Sequence, residues 1–441
     1  MNHNADRLGI PRESASTRIG ISLHPDMVAA EIRDWIVEQG LLGVAGEAVF
    51  EAFSERLVRQ GVPILRAYTA MRVLHPLYSG FGLIWRAGEA GVTEERYGAS
   101  PVVTEAWLKS PIRPLAEGQV REIRRRLLGP EVGREFPILE EFRQQGATDY
   151  YATRSAYGFD GQYEESRGIV FTWTTKRPNG FNDADLNLLR ALAAPLALTM
   201  RVAANRRLAV GLAATYLGQD AGRRVLAGDI QRGKTNTISA VLLYGDLRGF
   251  TRLADAVQRD ELIEMLDDYL ECMAVPVEKF GGQVLKFMGD GMLGTFEVKQ
   301  GEGAKERGEE CVAALNAALE AHGRIEALNR DRAAAGKPIM TLDLALHLGE
   351  VLYGNVGSPT RLDFTVVGPA VNEVSRLETL CQALDRGLII SKAFKDAMPP
   401  EALPLLPLGR YGLRSVRDPV ELYTVETIPP WVPPVATDNT N

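Results

Sequence analysis

Apolar residues recur at helical spacing from Pro25 to Gly40 and again from Gly46 to Gly61, where Val49, Phe50, Phe53 and Leu57 share one face. Gly61 and Pro63 break the second helix, and a helical pattern resumes through Leu65, Tyr68 and Met71. Two runs rich in aromatic and β-branched residues, Gly80 to Arg86 and Gly168 to Thr175, predict strands. The polar stretch between them has weak periodicity and predicts no definite element, except a helix under Arg124-Arg125-Arg126 that would hold them in solvent. Phe181 opens a long apolar pattern, FNDADLNLLRALAAPLALTM, with Asn182 or Asp183 placed to cap its helix.

The pattern changes in the second half. A buried strand at Ser239 to Tyr244 is followed by two helices, the longer from Arg259 to Phe280, and then by GGQVLKFMGDGMLGTF, which reads as a hairpin turning at Gly289-Asp290-Gly291. A helix (Gly308 to Arg332), a strand (Met340 to Leu348), a helix (Ala370 to Ala383) and terminal strands within Pro404 to Tyr423 complete the order. Two βαβ-type units around a hairpin predict a ferredoxin-like α+β core.

At 441 residues the chain is long enough for two or three domains, and 45% hydrophobic with 24% charged residues is the balance of a globular protein with substantial cores. A net charge of −7 leaves no basic footprint for nucleic acid. Cys272, Cys311 and Cys381 lie far apart without metal-ligand spacing, which fits a reducing cytoplasm. The first twenty residues lack the apolar core of a signal peptide. Leu186 to Ala204 is interrupted by Arg190, Pro195 and Arg201, so no membrane span is expected. His24 and His75, each before a proline, read as structural.

Two aspartates stand where the backbone must turn. Asp246 ends the strand before the tight DLRGFT loop, and Asp290 sits in the hairpin. Paired carboxylates suit Mg²⁺, which takes a few acidic oxygens and completes its shell with phosphate and water. Backbone N–H groups of Leu247, Arg248, Gly249 and Phe250 could cradle phosphate oxygens. Taken singly, Asp246 equally suits a helix cap and Asp290 a type I′ turn.

With HLGEVLYGNVGSPTRLDFTVVGPAVNEVSRLE at 347–378, the DLRGFT and LKFMGDG segments resemble the class III nucleotidyl cyclases, the adenylate and guanylate cyclase family, over roughly residues 236–426. The resemblance implies that Asp246 and Asp290 hold two Mg²⁺ (or Mn²⁺) ions per site. It places Lys286 and Thr365 as the pair that recognises the base, Asn372 and Arg376 as transition-state stabilisers on one helical face, and Arg414 as a basic residue reaching phosphate. Lysine in place of the acidic residue typical of guanylate cyclases implies ATP as substrate. Pro369 and Glu373 depart from the commonest pattern without removing a catalytic group. In this family each site is built across a dimer interface, so one domain with both residue sets implies a homodimer. Guanylate cyclase activity, or a catalytically silent nucleotide-binding or dimerisation module, are the alternatives.

The expected organisation is a disordered segment at 1–20, a sensory domain at 21–204, a helical linker at 205–235, the catalytic domain at 236–426 and a disordered tail at 427–441. The linker's second part, around Arg223 to Leu226, resembles the short helix that leads into many bacterial cyclase domains. The strand, turn and capped helix at about 168–204 resemble the close of a GAF-type domain, which implies an unknown sensory ligand or partner. Trp85, Tyr150, Tyr151, Tyr157, Phe159, Tyr163 and Trp173 would either line its pocket or fill its core.

Overall fold

The computed structural model describes residues 25–427 except 74–77, 99–103, 130–131, 133, 160–161, 256, 299–303 and 415–417. The disorder expected at both ends, His24 and His75 lie outside the described residues. The chain divides into two compact units, residues 1–209 and 210–441, each described here by itself.

In the first unit, helices α1 (Pro25–Leu42) and α2 (Gly46–Arg59) precede strands β1 (Ile64–Arg72), β2 (Tyr78–Arg86) and β3 (Thr93–Gly98). Short helices α3 (Glu105–Leu108) and α4 (Ile112–Ala116), strand β4 (Glu122–Arg126), helix α5 (Ile138–Gln144), strands β5 (Asp149–Phe159) and β6 (Gln162–Thr175), and helix α6 (Asp183–Leu217) follow. The strands form one antiparallel sheet in the order β3-β2-β1-β6-β5-β4. Alternation decides which face each side chain covers. Phe171 and Trp173 join Tyr151 on the face covered by α1, α2 and α6, while Tyr150, Ala152 and Val170 face α4 and α5. Full burial of each large apolar side chain stabilises by roughly 1.5–3 kcal/mol. Trp85, Tyr151 and Trp173 are thus core, whereas the side chains of Phe159 and Tyr163 lie outside the described residues.

Two sequence expectations change here. The segment read as a helix through Leu65, Tyr68 and Met71 is strand β1, paired on both sides by β2 and β6. A central strand buried on both faces loses its polar alternation, and the chance three-residue spacing then mimics a helix. The arginine run is edge strand β4. Arg125 reaches the exposed Glu135, but Arg124 (Nη2 to Oδ2, 2.8 Å) and Arg126 (Nη1 to Oδ2, 3.4 Å) turn to Asp149, whose side chain is fully buried. The predicted cap is present as a reciprocal pair: the Asp185 N–H donates to Asn182 Oδ1 and the Asn182 N–H to Asp185 Oδ2, both at 2.8 Å. Among the described residues α6 alone is long and apolar enough to cross a membrane; here its apolar side, including Leu189, Leu192 and Leu196, is buried in the core.

The second unit continues with α7 (Gln219–Leu226), β7 (Thr235–Arg248), α8 (Phe250–Ala254), α9 (Arg259–Lys279), β8 (Gln283–Met288), β9 (Gly291–Val298) and α10 (Ala304–Ala334). Then come β10 (Thr341–Gly357), β11 (Leu362–Val367), α11 (Pro369–Glu378), α12 (Leu380–Leu384), β12 (Leu388–Ser391), α13 (Lys392–Ala397), β13 (Leu405–Tyr411) and β14 (Val420–Val425). The order β10-β7-β9-β8, antiparallel throughout, is the predicted ferredoxin-like core, extended by β12, β14 and β13 on the β10 side. One face packs on α9 and α10 through Met273, Phe296 and Leu344; the other packs on α11 through Leu242, Ala345 and Val374. Strand β10 runs nine residues past the predicted Leu348, because its glycines at 349 and 354 continue the ladder with β7 instead of ending it. Its extension forms an unpredicted hairpin with β11.

Two histidines of this unit are buried, His322 bonded to the Gly387 carbonyl (3.0 Å) and His347 to Ser391 Oγ (3.0 Å), and burial pushes both down to about 4. Both stay neutral in the fold while the unfolded chain takes up protons near the ordinary 6.5. Their stabilisation is therefore complete above pH 6.5 and lost as pH falls towards 4, by up to the order of 3 kcal/mol each. Thermal unfolding across that range should show a falling midpoint, and His322→Gln or His347→Gln should flatten the slope.

Candidate active site

Strand β7 sends Val241, Leu243 and Leu247 to the α9–α10 core, and Leu242 to the opposite face. By the same alternation Asp246 faces α11. Gly245 pairs with Met292 of β9, and the β8–β9 turn closes with Met288 opposite Gly291. This register brings Asp246 and Asp290 to the same end of neighbouring strands. Asp246 Oδ1 lies so close to Gly291 that a Cβ added there would be 3.0 Å from it. The left-handed residue of the turn is Gly289 (φ 68°), and Asp290 has no positive φ, so the turn is not type I′.

The electrostatics follow from this crowding. Burial, then Asp290 and Asp343, push the Asp246 carboxyl up to about 6, and burial raises Asp290. Glu378, at the end of α11, is pushed up to about 7 by burial and then by Asp246 and Asp343. Asp343 stands opposite Asp246 across the β7–β10 ladder and is held by Arg248 (Nε 2.9 Å, Nη2 2.6 Å). The Arg248 guanidinium is thereby committed to Asp343. Leu247 and Arg248 are themselves in the ladder, opposite Leu342 and Thr341, and the Leu247 side chain is core. Of the predicted DLRGFT cradle, the turn proper begins at Gly249 (φ 90°), and Phe250 opens α8 with first-turn N–H groups that lack helical partners.

Lys286 on β8 lies 3.8 Å from Asp363 on β11, two residues before Thr365. The Thr365 hydroxyl is buried with no hydrogen-bond partner among the described residues. Helix α11 begins with Pro369 at its first position and buries Ala370, Val374 and Leu377. Its other side presents Asn372, exposed, and Arg376, partly exposed, and neither side chain makes a hydrogen bond or ion pair among the described residues. Arg414 is exposed in the β13–β14 connection, with no such bond to any of these groups.

The structure thus brings the two aspartates together, sets Lys286 against the strand of Thr365, and groups Asn372 with Arg376. It adds two carboxyls that the sequence reading did not single out. Asp343 interrupts an apolar alternation in TLDLALHL, and Glu378 takes the next position of the buried Val374–Leu377 stripe; acids in those registers were the available signal. Among the described residues no group of three or more His, Cys, Asp or Glu is arranged to hold a metal. The pair nevertheless fits a divalent cation. Asp246 is a partly buried carboxylate beside other acids, with no cation paired to it among the described residues, and such a pair leaves most of the ion's shell to phosphate and water.

Residues 233–426 match the family model of the adenylate and guanylate cyclase catalytic domain. The chain is 29% identical to an adenylate cyclase of Anabaena cylindrica over 182 residues, 40% of this chain and 34% of that protein. It is 26% identical to adenylate cyclase 1 of Rhizobium meliloti over 183 residues, 42% of this chain and 27% of that protein. It spans about a third or less of the length of these curated relatives. Among solved structures, the adenylyl cyclase CyaB from P. aeruginosa is 28% identical, with a TM-score of 0.39 over 43% of this chain and 94% of that one. The guanylyl cyclase Cya2 is 25% identical, with a TM-score of 0.38 over 44% and 95%. Over residues 233–426, the chain is thus similar to the adenylate and guanylate cyclase catalytic domain.

Proposed function

We propose that the second unit is an adenylate cyclase, converting ATP to 3′,5′-cyclic AMP and diphosphate at sites shared between two copies of the chain. The observation that carries this is the convergence of Asp246 and Asp290 at one end of neighbouring strands, where burial and then Asp290 raise the Asp246 carboxyl and no basic group is paired with it among the described residues. Asp246 and Asp290 would hold two Mg²⁺ or Mn²⁺ ions; when bound, these lower the pKa of the ribose 3′-hydroxyl and offset phosphate charge. The Lys286 ammonium donates to adenine N1, and the unpartnered Thr365 hydroxyl accepts from the exocyclic amine. Guanine presents a donor at N1, which the ammonium cannot satisfy. Arg376 and Asn372, without hydrogen bond or ion pair among the described residues on the open side of α11, stabilise charge on the transferring phosphoryl group. Phe250 and Gly249 lie where backbone donors meet phosphate, and Arg414 contributes a further positive charge. The first unit is assigned a regulatory role, through a ligand or partner of its own.

In chelator, Asp246→Asn should unfold at or above the wild-type temperature, because it removes a repelled carboxylate. Added Mn²⁺ should raise the wild-type midpoint, leave the variant unmoved and restore no activity to it. An equal Mn²⁺ shift in both proteins would remove Asp246 from the metal site.

Lys286→Glu combined with Thr365→Cys should weaken ATP use and admit GTP, read as the ratio of kcat/KM values. An unchanged ratio would transfer base recognition to other residues.

Asp290→Ala and Arg376→Ala should each inactivate the enzyme, the latter by on the order of a hundredfold or more. Co-expressed, they should recover roughly a quarter of wild-type activity, since about half of randomly paired dimers are mixed and each carries one intact site. A mixture with demonstrated heterodimers that stays as inactive as the separate variants would exclude the shared site.

A further inference from the structure

The first unit contains a cavity of about 520 Å³ between the sheet and α3–α5, within the range of small-molecule sites. Its floor is built by the β1, β5 and β6 side chains that point away from α6: Arg66, Tyr68, Tyr150 and Thr172. The Arg66 guanidinium carbon lies 5.2 Å from the Tyr68 ring centre and 5.0 Å from that of Phe142. Arg66 makes no hydrogen bond or ion pair among the described residues, and β-sheet register sets a second cation, Arg86, directly opposite it. Burial, followed by Arg86, lowers its proton affinity. Tyr150 is 1% exposed, and its Oη, turned towards Thr172, completes no hydrogen bond of normal geometry. A cation that makes no ion pair, with Glu95 acting on it only through space, and a buried hydroxyl that completes no normal hydrogen bond among the described residues both border this cavity, and each is costly to leave so.

We infer that this cavity binds a small organic monocarboxylate with an aromatic or branched apolar body. The carboxylate meets the planar fork of Arg66 and the Tyr150 hydroxyl. Phe142, Ile112 and Ile138 cover the apolar part. The remaining charges limit the ligand to one negative charge. Glu95, Glu105 and Glu141 line the cavity against Arg66 and Lys109, and Lys109 is already paired with Glu105 at 2.5 Å. A phosphate ester with two charges would meet that acidic rim. Nothing in this inference depends on the cyclase reaction, and direct binding tests it separately.

The test is calorimetric titration of the full chain with phenylacetate and 3-phenylpropionate, and with neutral phenylacetamide and dianionic phenyl phosphate as comparisons. At least one acid should bind saturably, and its neutral or dianionic counterpart at least about tenfold more weakly. Arg66→Met should weaken the acid by about tenfold or more, and Tyr150→Phe by a smaller factor. Absence of saturable binding by either acid up to about 10 mM overturns the proposal, as does equal affinity for acid and amide or wild-type affinity in Arg66→Met. Should Arg66→Met lose its circular-dichroism signature of folding, Arg66→Lys, which keeps the charge but not the fork, and Tyr150→Phe decide with the acid–amide pair.

Discussion

The second unit depends on holding two carboxylates close together where burial and their mutual repulsion both disfavour charge. Two aspartates at the ends of adjacent strands would separate if their backbones were free to move, and a sheet is the element that denies this freedom. Asp246 is fixed because Leu243 and Leu247 on one side of β7 and Leu242 on the other are locked into two different cores. Asp290 is fixed because a two-residue turn between β8 and β9 leaves no slack, and a one-residue slip would send the buried Met292 and Phe296 to the wrong face. Hydrophobic burial on both faces thus offsets the electrostatic cost at the edge. Arg248 pairs with one further acid of the row, Asp343, which still adds to the upward pressure on Asp246.

Much of this was legible in the sequence because Asp290 sits in a glycine-marked turn and Asp246 lies three residues before the glycine that ends its strand, where local chemistry dictates the backbone. What escaped notice was set by tertiary surroundings. Strand β1 read as a helix because a strand covered on both faces shows no clean alternation in its sequence. Strand β10 read as nine residues because its glycines look like breaks until a partner strand is present to pair with them. Glu378 escaped because its burial depends on what α11 covers. Conversely, Asn372 and Arg376 are four residues apart on any helix, and that relation survives whatever packs behind them.

In the first unit, Asp149 shows how a buried charge organises a sheet edge. Its Oδ2 accepts from Arg124, Arg126 and the Phe181 N–H, tying edge strand β4 to the segment that enters α6. Losing any one donor leaves part of a buried carboxylate unmatched, a kind of loss worth several kcal/mol. A run of arginines in a sequence therefore need not mean a surface. On a strand, alternate members point the same way, and here two of three turn inward while Arg125 does not.

Gly291 has a regular backbone and no need of glycine's conformational freedom, yet a methyl group there would meet Asp246 Oδ1 at 3.0 Å and the Gly245 carbonyl at 3.1 Å. The one atom this position must lack is the one that would occupy the approach to the aspartates. A side chain as small as alanine there would need Asp246 or the Gly245 carbonyl to give way by a few tenths of an ångström, so what this glycine supplies is room beside an acid and not freedom of the backbone.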